Sequence, residues 1–283
     1  MRPQIWVTGA GGFIASYLLQ TATRFAPAFE VVGWKRPAFD LLDFKSMDKA
    51  FAETKPAAII HCAALSRTID CQENPDLARR INVEGTRHLV DLAGDLPVIF
   101  FSSDLVFDGL KGDYVEPDPV NPRSVYGETK AEAETIVLRN PRHTVVRTSL
   151  TAGSSPSGSR TFNEEIKQAW QTGRTMVLFK DEFRCPLGAP VTARAVWELF
   201  ATGQRGLFHL TGAERLSRLE IGQVLARRWG YPQANIHSAS IGDYKGPPRC
   251  PDTSLNCARI QSHLSFPLPR FSEWVAENPT EIP

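Results

Sequence analysis

Tyr126 and Lys130 stand four residues apart in Tyr126-Gly127-Glu128-Thr129-Lys130. On a helix that spacing is about one turn, so the two side chains share a face. A free tyrosine, with a pKa near ~10, is a poor proton carrier at neutral pH. A neighbouring ammonium favours the phenolate and lowers that pKa. Such a pair can give a proton to a carbonyl oxygen or take one from an alcohol. The pattern also arises by chance on helix surfaces, so it needs company. Phe100-Phe101-Ser102-Ser103-Asp104 ends an apolar run. A serine there either hydrogen-bonds the reacting oxygen or starts the next turn. Asn82 lies mid-helix among good helix formers, where asparagine is disfavoured. It reads as a polar site residue or as a solvent-facing one.

A second group of residues suits a phosphate. Thr8-Gly9-Ala10-Gly11-Gly12-Phe13-Ile14-Ala15 follows the apolar Ile5-Trp6-Val7 and leads into Ser16-Tyr17-Leu18-Leu19. That order is strand, glycine-rich turn, helix. Glycine lets the backbone approach a phosphate, and the helix start offers free N–H groups and a favourable dipole. Gly9 and Gly12 hold the first two positions of G-x-x-G-x-x-G, with Ala15 at the third. Glu30-Val31-Val32-Gly33-Trp34 reads as the second strand, and Lys35-Arg36 follows it. A carboxylate after that strand selects a ribose 2′-hydroxyl, whereas a basic pair suits a 2′-phosphate. The pair therefore favours NADP(H) over NAD(H), against the plainer reading as a solvated loop. Asp40-Leu41 is placed to meet the adenine, although Asp40 is also a natural turn residue.

The elements that must hold these residues alternate. Strands are predicted at Ala57–Cys62, Pro97–Ser102 and Thr144–Arg147. Helices are predicted over 46–54, from Asn74-Pro75 towards Ala93, and over 124–139. Alternation of this kind implies an α/β fold with a doubly wound, Rossmann-like parallel sheet, with ligands at the carboxyl ends of its strands. Beyond Leu150 a Gly/Ser/Pro-rich stretch precedes helices near 162–172 and 192–202, strands at Met176–Phe179 and Gly206–Leu210, and a capping box at Ser217-x-x-Glu220. That helix is expected to stop at Gly230 with Pro232 beyond it, and the tail from Pro247 to Pro251 to be irregular. The expected division is a dinucleotide-binding domain over 1–150 and a smaller substrate-binding lobe over 151–283, with a segment of about 188–212 returning to the first domain.

Composition narrows the partners. The 283 residues carry 32 basic and 31 acidic side chains, a net charge of +1, so no field draws the chain to nucleic acid or membrane. No leader and no bilayer-length apolar stretch is read, and five cysteines without a C-x-x-C pair suit a reduced, cytoplasmic protein. The histidines lack ligand spacing, so no metal is expected. His61, at a strand end, reads as a satisfied structural histidine.

Taken in order, Thr8-Gly9-x-x-Gly12-Phe13-Ile14-Ala15, Cys62-Ala63-Ala64, Asn82-Val83-x-Gly85-Thr86, Ser102-Ser103 and Tyr126-x-x-x-Lys130 resemble the extended short-chain dehydrogenase/reductase family. Within it the chain is most similar to the dTDP-4-dehydrorhamnose reductase branch. Ser102-Ser103-Asp104-Leu105-Val106-Phe107-Asp108-Gly109, the proline-rich approach from Pro117 to Pro122, Val146-Arg147-Thr148-Ser149, Phe183-Arg184-Cys185-Pro186, and Pro248-Arg249 with Asp252-Thr253 carry that similarity over nearly the whole chain.

The resemblance implies that Tyr126 is the general acid/base and that Lys130 lowers its pKa and holds the nicotinamide ribose. It implies that Ser103, which directly precedes the aspartate, polarises the carbonyl, and that Asn82 supports a proton relay. Gly12, Phe13 and Ile14 would lie against the pyrophosphate, and Ala63 and Ala64 along the cofactor. Asp104 and Arg249 are candidate substrate contacts, Asp104 being equally able to cap the next turn. The implied reaction is hydride transfer from NADPH to a keto group on a nucleotide-linked sugar, and the resemblance allows a homodimer. Epimerisation or dehydration on the same fold is one alternative; Leu105, where dehydratases carry a second acid, counts against it. A binding role, like that of the regulatory subunit of methionine adenosyltransferase, is another. The branch usually places a tryptophan after R-T-S; Leu150 stands there, which predicts a substrate site without that aromatic platform.

Overall fold

Five strands of the first half lie in one sheet; all but the second, a half-exposed edge, are buried on both faces. In a computed structural model, which describes residues 2–231, 235–246 and 248–282, the chain runs β1 (Gln4–Thr8), α1 (Phe13–Phe25), β2 (Glu30–Trp34), α2 (Phe44–Thr54), β3 (Ala58–His61), α3 (Thr68–Glu73), α4 (Pro75–Arg79), α5 (Gly85–Ala93), β4 (Val98–Ser103), α6 (Val125–Val137) and β5 (Thr144–Thr148). Then come β6 (Thr151–Ala152), α7 (Phe162–Gln171), β7 (Met176–Phe179), β8 (Phe183–Arg184), β9 (Leu187–Gly188), α8 (Ala189–Ala201), β10 (Gly206–Leu210), β11 (Leu216–Ser217), α9 (Arg218–Trp229), β12 (Ile236–Ala239), α10 (Ala258–Gln261) and α11 (Phe271–Glu277). Pro232 and Pro247, singled out above, lie outside the described residues.

The sheet has six strands in the order β2-β1-β3-β4-β5-β10, every pair parallel. The chain leaves β1 for β2 on one side and returns to β3 on the other. That switch point opens a crevice at the carboxyl end of β1, where the glycine turn lies. Strand alternation sends Ile5 and Val7 to one face, where α1 and α8 cover them together with Phe208 and Trp197. Trp6 goes to the other face. It packs with Phe39, Met47 and Leu89, and its indole N–H bonds Thr54 Oγ1 at 3.1 Å. Phe100 and Val145 on that face meet Ala133 and Val137 of α6. The second lobe has its own core, built on Trp170, Leu178, Ile221, Phe271 and Trp274.

Two details depart from the sequence reading. The helix expected from Pro75 to Ala93 is interrupted by a π turn, Arg80–Glu84, which takes in Asn82. The helix expected near 192 starts at Ala189, because Pro190 is tolerated in a first turn. Among the described residues no helix is long and apolar enough to cross a membrane.

Helix α6 is fastened to the sheet by a buried ion pair. Arg147 Nε and Nη2 donate to Glu134 Oε1 and Oε2 at 2.9 and 2.7 Å, and Nη1 meets His209 Nε2 at 3.2 Å. Burial and the Arg147 charge push the His209 pKa down to about 3, so its ring is neutral and accepts there. Glu134→Ala would leave the Arg147 charge buried without its partner. We expect a loss of about 3–5 kcal/mol in urea unfolding, and recovery of most of it in Glu134→Leu with Arg147→Met. A loss under about 1 kcal/mol, the range of an exposed pair, would contradict this role.

Candidate active site

The glycine turn is shaped by a backbone-to-backbone approach. Gly9 has φ +72°, and a Cβ there would come within 2.8 Å of Ala63 N. The turn closes with Gly12 N–H donating to Gly9 O at 2.7 Å. Gly12 then caps α1 without any side-chain hydrogen bond, and no acidic residue sits in the first turn of α1. The helix start is therefore open to an anion. The side chains of Phe13 and Ile14 pack inward, Phe13 edge-on to Tyr17 at 5.6 Å, which leaves their backbone to face a ligand.

The neighbouring floor is pinned by His61. Thr86 Oγ1 donates to Asn82 O at 2.7 Å, so it accepts from His61 Nε2–H at 3.0 Å. His61 Nδ1 is then an acceptor for the Thr8 hydroxyl at 2.7 Å, and Thr8 Oγ1 accepts from Ala63 N at 3.2 Å. Burial lowers the His61 pKa to about 3, with Lys130 acting in the same direction. His61 is thus a neutral linker that fixes the half-exposed Ala63 and Ala64 loop beside Gly9.

Lys35 and Arg36 are exposed and form no ion pair among the described residues. Lys35 reaches back towards the turn: a Cβ on Gly11 would lie 3.9 Å from its Cδ. Asp40 is a turn residue, accepting from Leu42 N at 3.0 Å. Leu41 is buried in the Trp6 cluster and against Gly85.

Ser103, Tyr126 and Lys130 come from the ends of β4 and α6. Ser124 caps α6 by accepting from Gly127 N at 3.2 Å. The half-buried Tyr126 phenol faces the Ser103 hydroxyl, which favours its ionised form. Burial and then the charges of Asp104 and Cys71 outweigh that effect and hold the phenol above its ordinary range. The lowering expected from Lys130 is not among these influences. The Lys130 ammonium is buried and lies 3.8 Å over the Phe100 ring. Loss of water pulls its own pKa to about 7, against the opposing pull of Glu134.

Three other expectations are revised. Asn82 is 1 % exposed, and its amide is fully engaged with Leu65 N, Leu65 O and Thr129 Oγ1 at 2.8, 3.0 and 3.0 Å. Thr129 Oγ1 in turn donates to Tyr126 O at 2.9 Å. Asn82 therefore ties the Leu65 loop to the first turn of α6, and no N–H is left for a relay. Asp104 is 4 % exposed and is met by Ser103, Ser149, Thr253 and Arg184. Arg249 is clamped on Glu182, at 2.6 and 3.0 Å. Both are held by groups of the protein itself.

Sequence reasoning quoted Ser149, Arg184 and Thr253 only as parts of similar segments, and missed Glu182 and Arg218. The contacts of Asp104 with Arg184 and Thr253 cross the two lobes, and no local pattern signals them. Leu150, where the branch has tryptophan, packs into the lobe core. All five cysteines are free, and no group of three potential metal ligands occurs among the described residues.

The depressed Lys130 pKa has a consequence for stability. From its folded value of about 7 to its ordinary 10.5, the unfolded chain binds the proton and the folded chain does not, so stability rises with pH across that window. Lys130→Met lacks this contribution. The stability of the parent relative to Lys130→Met, from chemical unfolding at a series of pH values, is therefore expected to rise from pH 7 towards 10. A flat difference would refute the buried-amine assignment.

Comparison with known proteins agrees with this architecture. The model of the RmlD substrate binding domain family matches residues 1–282. A dTDP-4-dehydrorhamnose reductase of Sinorhizobium fredii is 29 % identical over 94 % of this chain and 93 % of its own. One of Streptomyces griseus is 30 % identical over 97 % of this chain and 88 % of its own. The crystal structure of dTDP-4-dehydrorhamnose reductase from Bacillus anthracis in complex with NADP superposes with a TM-score of 0.90, at 19 % identity, over 98 % of both chains. With its glycine turn, its serine and its tyrosine–lysine pair at one edge of a parallel sheet, the chain belongs to the RmlD substrate binding domain family.

Proposed function

We propose that this chain is an NADPH-dependent reductase of a keto group on a nucleotide-linked sugar, with dTDP-4-dehydrorhamnose, the substrate in its relatives' name, as the first candidate. The observation that carries the reading is the meeting of the Ser103 hydroxyl and the Tyr126 phenol at the same sheet edge as the uncapped start of α1. The residues present fit the cofactor. The Gly9–Gly12 turn and the N–H groups of Phe13 and Ile14 would hold the pyrophosphate, Lys35 and Arg36 the 2′-phosphate, and Ala63 and Ala64 the face beside them. Bound there, NADPH supplies the hydride.

The remaining chemistry belongs to the chain. Reduction of a ketone leaves an alkoxide that needs a proton. A phenol kept above its usual pKa by burial and by Asp104 stays protonated at neutral pH, which is the form a general acid needs. Ser103 sits beside it to align the reacting oxygen. Dehydration is less well supported: Leu105 follows Asp104, and Asp104 itself is occupied.

A nucleotide-linked substrate is supported by the charge of the second lobe. Arg184, Arg218 and Arg249 surround the carboxylate of Glu182, and Arg184 also meets Asp104. Burial raises the pKa of that carboxyl, and the three guanidinium groups more than offset it. Among the described residues the Arg218 guanidinium makes no hydrogen bond, so the cluster keeps positive charge for a diphosphate. In this reading residues 1–150 with 188–212 bind the cofactor, and the rest of the chain binds the sugar.

The test is NADPH consumption by the purified protein with dTDP-4-dehydrorhamnose. Tyr126→Phe should lower turnover by about 10²- to 10⁴-fold with NADPH affinity retained. Lys35→Ala with Arg36→Ala should weaken NADPH binding by about tenfold or more and leave NADH binding unchanged, as expected for lost charged hydrogen bonds. Unchanged turnover in the first variant removes Tyr126 from the mechanism. Equal loss for both cofactors in the second removes the 2′-phosphate site.

A further inference from the structure

Asp104 joins parts of the chain that are far apart in sequence. Its Oδ1 accepts from Ser103 Oγ at 3.1 Å. Its Oδ2 accepts from Ser149 Oγ and Thr253 Oγ1, each at 2.7 Å, and lies 3.5 Å from Arg184 Nε. Ser103 ends β4 and Ser149 follows β5. Arg184 lies in β8 of the second lobe, and Thr253 in the segment that bridges to it through Asp252 and Phe183. One carboxylate therefore bonds to both lobes.

The consequence falls on Ser103. A serine hydroxyl has one proton and rotates freely when nothing holds it. Here Asp104 Oδ1 accepts from that hydroxyl at 3.1 Å and Leu105 N donates to its oxygen at 3.2 Å. Together they hold the side chain in one rotamer, from which the proton can turn to a reacting oxygen. Arg184 is itself rigid: its guanidinium donates to Glu182 Oε1 at 3.0 Å, Phe183 O at 2.6 Å and Cys250 O at 3.1 Å. Any shift of β8 or of the Thr253 segment would move charge and hydrogen bonds at Asp104, and so at Ser103.

We propose that Asp104 is a positioning residue that makes the orientation of Ser103 depend on the docked second lobe, and that it does not contact the substrate. This rests on the reductase reading above. It assigns a role to an aspartate whose neighbours are otherwise the reacting serine and the floor of the site.

Asp104→Asn keeps the shape but turns one acceptor into a donor that faces hydroxyl and guanidinium donors. In steady-state kinetics with NADPH and dTDP-4-dehydrorhamnose we expect kcat to fall about tenfold to a hundredfold, with KM and NADPH affinity nearly unchanged, as for a misplaced reacting group. A residue that binds substrate would raise KM instead, and that result, or an unchanged kcat, overturns the proposal. The titratable groups facing the Tyr126 phenol are Asp104 and Cys71, with the Ser103 hydroxyl beside them. Removing the Asp104 charge should move the alkaline limb of the kcat profile to lower pH.

Thr253→Val removes one bond from the lobe and leaves the carboxylate in place. It should lower kcat by a smaller factor and speed amide hydrogen exchange over residues 252–255. If Asp104→Asn does not fold, this variant decides, and unchanged kcat and exchange refute the link. An inactive parent protein would count against the reductase reading alone, because exchange in Thr253→Val still reads whether the contact holds the lobe.

Discussion

Parallel pairing is the constraint on which the site depends. It brings the carboxyl end of every strand in the sheet to one edge. In register, Thr8 lies beside Trp34 and His61, and Ser103 beside Thr148, which lies beside Leu210. The chain must turn away at each of these ends, so polar residues and turns gather there. The narrowest place is at Gly9, where any side chain would strike the Ala63 backbone. Thr8, His61 and Thr86 then fix the Ala63 loop by hydrogen bonds alone. The Ala63 loop is thus held by neutral groups.

Charge enters from the other elements, and its burial decides its form. Glu134 with Arg147, and Glu182 with Arg184 and Arg249, are matched and hydrogen-bonded, which offsets the cost of removing them from water. Lys130 has no such carboxylate in contact and rests on the Phe100 ring, so its proton is loosely held. Tyr126, nearby, is pushed the opposite way by burial and by Asp104. Two groups one helical turn apart are therefore moved in opposite directions by their surroundings.

Much of this was legible in the chain. Alternating apolar runs and helix periods gave the doubly wound sheet. The glycine spacing marked the turn, the Ser217–Glu220 pair marked the start of α9, and the order of short motifs pointed to the family. The π turn was not legible, since one extra residue in a helical turn leaves the apolar pattern nearly intact. The resemblance singled out Ser103 over Ser102, but the surroundings of the two serines were not legible. Alternation places them on opposite faces, but only the folded sheet shows that Ser103 meets Tyr126 and Asp104 while Ser102 Oγ is buried without a partner.

The sequence by itself therefore determined the elements, the edge on which the reacting groups gather, and the residue types they bring. These follow from periodicity and turn chemistry, which act over a few residues. Tertiary structure decided what each polar group is bonded to. Asp104 meets Thr253 across 149 positions, Arg249 is spent on Glu182, and Lys130 lies on an aromatic face. A buried polar group must find its partners among whatever the packing brings near, and that company is set only once the two lobes are docked.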